Sequence, residues 1–206
     1  MKLVIIDYQL GNLFSVQQAV RQQGFDCEVS ADPEAVRQAD ALLLPGVGAF
    51  GAAMEALRRD GLEEAILEGV NAGKPFMGVC LGMQLLFAKS GEFGEEKGLG
   101  IIPGEIKRIP GEGRKVPHVG WNTIRENGQS WAGSPLEGLA DGAWMYFVHS
   151  YHAQPDEAAH ALTHTTHDGF TYCSAVRRDN VFATQFHPEK SAAPGLSIYA
   201  NWLNSI

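Results

Sequence analysis

Directly behind the apolar run Pro75-Phe76-Met77 stands Gly78-Val79-Cys80-Leu81-Gly82, a pattern that reads as a strand turning sharply into a helix with a cysteine at the corner. Glycine two residues before and two after the corner permits a close-packed, strained turn that side chains would obstruct. Cys80 is then presented at the top of a sheet, at a helix N-terminus whose macrodipole and unpaired amides favour thiolate. A free cysteine is more often a buried core residue. The flanking glycines reverse that expectation and make Cys80 a candidate nucleophile.

The rest of the first half fits such a unit. Leu3 to Ile6 reads as a strand and Leu13 to Gln23 as an amphipathic helix behind Asn12 as N-cap. A second strand follows around Asp26 to Val29, and Asp32-Pro33-Glu34 supplies a cap, a first-position proline and a first-turn acid for the next helix. Ala41 to Leu44 reads as a strand, Leu62 to Asn71 as a helix, and a helix is expected from Leu81 to about Lys89. This alternation predicts an α/β fold, a mostly parallel central sheet flanked by helices with its site at the carboxyl ends of the strands. In the second half, Trp144 to Val148, Ala161 to Thr165, Thr171 to Val176 and Val181 to Phe186 are rich in Thr, Val, Tyr and Phe and predict an additional antiparallel β portion. Gly91 to Gly100 reads as a loop, and Pro194 to Asn204 as a last helix with Leu196, Tyr199 and Leu203 inward.

A nucleophilic cysteine needs a base and a group to orient that base. The strand ending at Phe186 runs into His187-Pro188-Glu189, where Pro188 fixes its own φ and biases His187 toward extended geometry. The carboxylate of Glu189 can then bond the His187 imidazole and stabilise the imidazolium paired with Cys80. His-x-Glu alone describes many solvated surface pairs. Beside a corner cysteine it describes a triad in the order Cys, His, Glu.

Cys80-Leu81-Gly82-Met83-Gln84, Pro45-Gly46-Val47-Gly48 and His187-Pro188-Glu189 together resemble the triad-type (class I) glutamine amidotransferases, in the family's order and over nearly the whole chain. The resemblance implies the family's flavodoxin-like fold as one domain over residues 1–206, and hydrolysis of L-glutamine to glutamate and ammonia through a thioester on Cys80. It implies backbone N–H groups of Val47 and Leu81 as the oxyanion hole, and Gly48, Gln84, Ser150 and Tyr151 as glutamine contacts. Gln84 stands four residues after Cys80, one helical turn, so both can face one pocket. Val116 to Asn122 and Tyr146 to Tyr151 resemble the family members that pass ammonia to a separate HisF-type cyclase, making imidazole glycerol phosphate and an aminoimidazole carboxamide ribotide in histidine biosynthesis. That likeness implies a heterodimer with Asn12, Pro117, His118, Trp121 and Lys190 at the partner face, and low glutaminase activity with a misdirected Val47 N–H until the partner binds its ligand. Gln9 departs from the pattern, where relatives often carry a small residue, as does His152, where an aromatic is common.

Composition excludes several classes. With 16 basic against 24 acidic residues, the net charge of -8 argues against a nucleic-acid surface, which needs a basic face. Lys107, Arg108, Arg114 and Lys115 are the one dense basic cluster and read as a solvated hairpin. Three widely spaced cysteines, Cys27, Cys80 and Cys173, suit a reducing cytoplasm and exclude a disulfide framework or a CxxC knuckle. Leu3 to Ile6 is too short for a signal sequence, and no apolar run reaches membrane length.

Two patterns invite other readings. Gly46-Val47-Gly48-Ala49-Phe50-Gly51 is a literal GxGxxG, but its strand is not the first of the sheet, Pro45 interrupts the strand exit, and Glu64 and Glu68 fall in a helix instead of ending a strand. His149, His152, His160, His164 and His167 crowd one stretch without a second ligand cluster, so neither a metal nor an organic cofactor is expected. The alternatives left open are an amidotransferase feeding another synthase, a free-standing hydrolase of γ-glutamyl bonds, and a non-enzymatic scaffold with a packing cysteine.

Overall fold

Leu3-Val4-Ile5-Ile6 is apolar at every position because both faces of the strand are covered, and all four side chains are buried. Alternation sends Val4 and Ile6 into one core and Leu3 and Ile5 into the other. The same division recurs at Leu42 and Leu44 against Ala41 and Leu43. Each fully buried side chain of this size contributes roughly 1.5–3 kcal/mol relative to exposure.

The computed structural model describes residues 1–206. Its first half runs β1 (Leu3–Ile6), α1 (Leu13–Gln22), β2 (Cys27–Ser30), α2 (Pro33–Gln38), β3 (Ala41–Gly46), α3 (Phe50–Arg59), α4 (Leu62–Asn71), β4 (Phe76–Cys80) and α5 (Leu81–Leu85). Strands β5 (Phe87–Ser90), β6 (Glu96–Lys97), β7 (Ile102–Arg108), β8 (His118–Thr123), β9 (Arg125–Glu126), β10 (Trp144–His149) and β11 (Tyr151–Pro155) follow. The chain closes with β12 (Ala161–His167), β13 (Phe170–Arg178), β14 (Val181–Thr184) and α6 (Ala192–Asn204). The central sheet has the order β2-β1-β3-β4-β14, all parallel, and continues through antiparallel β13, β11 and β7 to β5 and β6. Strands β8 and β10 form a separate antiparallel ribbon.

The mixed architecture is the one expected. Helices α2 to α5 cover one face of the sheet, with Val36, Met54, Leu57 and Ile66 in the core. Val16 and Val20 of α1, Ile198 and Trp202 of α6, and Met145 and Phe147 of the ribbon cover the other. In α6, Tyr199 and Leu203 are buried and Leu196 is partly so.

Several boundaries differ from the sequence reading. The helix after Cys80 ends at Leu85, because residues 87–90 are drawn into pairing with β7 and β6. Asn12 precedes α1 without a side-chain cap, whereas Asp32 accepts the Glu34 N–H at 2.9 Å. Pro45 does not interrupt β3, which pairs with β4 through Pro45↔Val79 and Gly46↔Cys80. The helix α3 and the strands β7, β8 and β11 were not anticipated. Both departures from the family pattern have local reasons. Gln9 sits at φ +69, a region that favours small residues, and is held there by the Asp7 carboxylate accepting its N–H at 2.8 Å. His152 is buried edge-on to Phe170.

Candidate active site

Four parallel strands, β1, β3, β4 and β14, end on the same side of the sheet, and Tyr8, Val47, Cys80 and His187 lie at or just beyond those ends. Cys80 ends β4 and opens α5 at φ 55 and ψ −110. A conformation of this kind costs about 1–3 kcal/mol for a non-glycine residue and is sustained by its surroundings. Gly82 explains how: a Cβ there would collide with the Leu44 carbonyl oxygen, so only glycine lets α5 pack onto β3 this closely. Cys80 as a whole is only 6% exposed, more enclosed than a corner residue was expected to be, and its side chain forms part of a cleft wall. With α5 only five residues long, little macrodipole is available to the Cys80 thiol.

His187 and Glu189 lie behind Cys80, with side chains 2% and 1% exposed, and His187 Nδ1 meets Glu189 Oε1 at 2.7 Å. Glu189 Oε2 has no other partner. The His187 Nε2 has no conventional hydrogen-bond partner and looks toward the Cys80 thiol. Burial works against the imidazolium, but its interactions with Cys80 and then Glu189 outweigh burial and raise His187 to about 10. His187 is also fixed through its backbone. His187 N–H donates to the Tyr146 carbonyl at 2.9 Å, and Ser191 Oγ donates to the His187 carbonyl at 2.6 Å while accepting the Tyr146 N–H at 2.9 Å.

The cleft has a volume of about 640 Å³. Val47, Gly48, Leu81 and Gln84 line it on the Cys80 side, and Ser150, Tyr151 and Pro117 on the opposite side. Gln84 is buried and commits both amide protons, to Gln185 Oε1 at 2.9 Å and the Tyr151 carbonyl at 3.2 Å, leaving its own carbonyl oxygen uncommitted by those bonds. Gln185 Nε2 in turn reaches Cys80 Sγ at 3.7 Å. Val47 is 40% exposed, yet its N–H donates to the Leu10 carbonyl at 3.1 Å.

Sequence reasoning missed the cleft residues Glu92, Phe93 and Arg108, and also Gln185, which is fully buried beside Cys80. Gln185 stands two before His187, so strand alternation alone placed it on the same side. Glu92 and Arg108 come from remote segments and carried no local signal. Arg108 is exposed, as expected of the solvated basic cluster, and lines the cleft as well. Glu92 Oε2 also accepts the Phe50 N–H at 2.6 Å. Its carboxylate occupies the start of α3, where a phosphate bound by the GxGxxG segment would sit.

Of the residues assigned to a partner face, Trp121 is 49% exposed, Lys190 and Pro117 are exposed and Asn12 is half-buried. His118 is not at the surface. It faces inward, stacked between Phe147 and His167, with Nδ1 2.8 Å from the Tyr172 hydroxyl, because its position in β8 alternates with the exposed Val119 and Trp121. Burial lowers His118 to about 4 and His149 to about 3, so both are neutral packing groups at physiological pH. No group of three or more His, Cys, Asp or Glu side chains is placed to hold a metal ion.

Cys27 and Cys173 provide internal controls for the thiol. Burial raises Cys27, and it pushes Cys173 up to about 12. Iodoacetamide at neutral pH is therefore expected to label Cys80 at least about tenfold faster than either, since thiolate is the reactive form. Mass-spectrometric mapping checks this, and equal rates at the three sites would support the scaffold reading.

The class-I glutamine amidotransferase family model matches residues 4–205. The imidazole glycerol phosphate synthase subunit HisH of Syntrophotalea carbinolica is 49% identical, with 97% of this chain and 98% of that protein covered. The HisH subunit of Aquifex aeolicus is 47% identical, covering 98% and 96%. Among solved structures, a glutamine amidotransferase superposes with a TM-score of 0.75 at 20% identity, covering 98% of this chain and 99% of that one. PurLQS from Thermotoga maritima gives a TM-score of 0.75 at 15% identity, covering 99% and 98%. No helix is long and apolar enough to cross a membrane.

Proposed function

The chain belongs to the class-I glutamine amidotransferases, and from that premise we propose that it is the glutaminase subunit of an imidazole glycerol phosphate synthase. The observation that carries the catalytic part is the convergence of Cys80, His187 and Glu189 at the carboxyl ends of β4 and β14, with the 2.7 Å His187–Glu189 bond fixing the base. Cys80 attacks the side-chain amide carbon of glutamine, and His187 gives a proton to the departing ammonia. Water then hydrolyses the thioester, and glutamate leaves. Leu81 N–H and Val47 N–H stabilise the tetrahedral oxyanions, a role in which loss of one donor costs roughly 100- to 1000-fold. Gly48, Gln84, Ser150 and Tyr151 hold the substrate, with Glu92 supplying negative charge for its ammonium group. No metal or organic cofactor enters these steps.

The Val47–Leu10 bond supports a gated site, since that N–H must leave the Leu10 carbonyl before it can serve an oxyanion. Its release is assigned to a HisF-type cyclase, which takes the ammonia for imidazole glycerol phosphate and aminoimidazole carboxamide ribotide synthesis in the cytoplasm. The docking face is the outer side of the β8–β10 ribbon with Asn12, Pro117 and Lys190 at its margins. There Val119 pairs with Val148 and Trp121 with Tyr146, and Val119, Trp121, Trp144 and Val148 are all exposed. Tyr146 also accepts the His187 N–H, so this ribbon is one hydrogen bond from the base. His118 supports the face from within the fold.

Glutamate release by the purified chain is expected to be slow alone and to rise strongly with cyclase plus its ribonucleotide ligand. Trp121→Ala should weaken partner affinity by about 2 kcal/mol or more, as buried aromatic anchors do, roughly a 30-fold rise in Kd by titration. Strong activity alone with no rise would indicate a free-standing glutaminase. Unchanged Trp121→Ala affinity would move the docking face elsewhere.

A further inference from the structure

Tyr8 is 1% exposed, and its hydroxyl is buried without a hydrogen-bond partner. Leaving a buried polar group unpaired is costly, so a hydroxyl kept in such a place calls for a second state in which it is bonded. Its location identifies that state. A Cβ on Gly46 would collide with the Tyr8 hydroxyl, and the same spot lies close to the Leu81 Cβ and the Gly82 nitrogen. The hydroxyl therefore rests against the Gly46 α-carbon, beside the turn that follows Cys80. Burial, and then the neighbouring Cys80, oppose ionisation of Tyr8, so it remains a neutral donor.

We propose that Tyr8 is a positioning residue that stabilises the working orientation of the oxyanion loop by donating its hydroxyl proton to the Gly46 carbonyl oxygen. The proposal rests on the reading of Val47 N–H as an oxyanion donor. At rest that N–H is bonded to the Leu10 carbonyl. Rotating the peptide to aim the N–H at the substrate turns the Gly46 carbonyl to the side the N–H leaves, the side of the segment carrying Tyr8 and Leu10, where it needs a donor. The Tyr8 hydroxyl is already against Gly46 and uncommitted. A side chain at position 46 would displace it, so Gly46 serves the contact by having none.

The test is Tyr8→Phe, which keeps the ring and removes only the hydroxyl. Glutaminase turnover with liganded cyclase is expected to fall roughly 5- to 30-fold, the effect of one or two kcal/mol, with KM for glutamine unchanged. The melting temperature of the isolated chain should hold or rise, because the resting state loses an unpaired polar group. Iodoacetamide labelling of Cys80 should keep its rate. Turnover within twofold of the parent would overturn the proposal, as would a fall in turnover accompanied by a fall in melting temperature. Val47→Pro, which deletes the N–H, separates the two ideas. Loss of stimulated turnover in that variant, with normal Cys80 labelling and an unaffected Tyr8→Phe enzyme, removes Tyr8 alone. Full stimulated turnover in Val47→Pro removes the Val47 donor and Tyr8's role with it.

Discussion

Cys80→Ala is expected to abolish glutamine hydrolysis while leaving the assembled synthase able to use added ammonium salt. Removing the nucleophile of a triad enzyme typically costs about a million-fold in turnover, because no other group forms the covalent intermediate. Packing should tolerate the change. Cys80 lies at the cleft wall, and alanine keeps the Cβ that the strained corner already accommodates. The lost sulfur leaves Gln185 Nε2 without its 3.7 Å contact, but Gln185 Oε1 still holds Gln84. The cyclase's use of free ammonia does not pass through the thiol. Glutamate release and ammonia-dependent product formation, measured on the same complex, separate the two roles. Loss of both activities would make Cys80 a structural residue.

How far the sequence foretold this site depends on how local each feature is. The corner at Cys80 and the His187–Glu189 pair are contiguous motifs whose backbone geometry is set by neighbouring glycine and proline, so both were readable along the chain. The alternation of strands and helices foretold the parallel half for the same reason. Features set by long-range pairing were not readable. Residues 87–90 carry an apolar and helix-compatible pattern, and only their pairing with Ile102 to Ile106 makes them a strand. His118 resembles a surface residue until its register against His149 in the ribbon turns it inward. Glu92, Arg108 and the Tyr8 hydroxyl join the site through tertiary packing alone. Gln185 is the exception among the missed residues, since its offset of two from His187 was visible in the strand period.

Glu189→Gln is the second change with a large expected effect, a fall of about 1000- to 10,000-fold in glutamine turnover, the scale seen when a triad acid loses its charge but keeps its shape. The amide still fills the space beside His187, but it supplies no anion to hold the imidazolium. Both side chains are almost wholly enclosed and Glu189 Oε2 has no second partner, so solvent does little to replace that charge. The pH behaviour distinguishes this from a loss of packing. His187 moves from an ordinary 6.5 to about 10 in the fold, against the pull of burial, through Cys80 and Glu189. Without the carboxylate its folded value falls, and the alkaline limb of the glutaminase profile, which needs protonated His187 to release ammonia, shifts to lower pH. Stability follows the same linkage. A group that binds its proton more tightly when folded contributes fully below 6.5 and loses that contribution as pH rises through about 10. The melting temperature of Glu189→Gln should therefore lie furthest below the parent near pH 6 and converge on it toward pH 10, whereas a deficit constant across that range would mean that Glu189 acts through shape and not through charge.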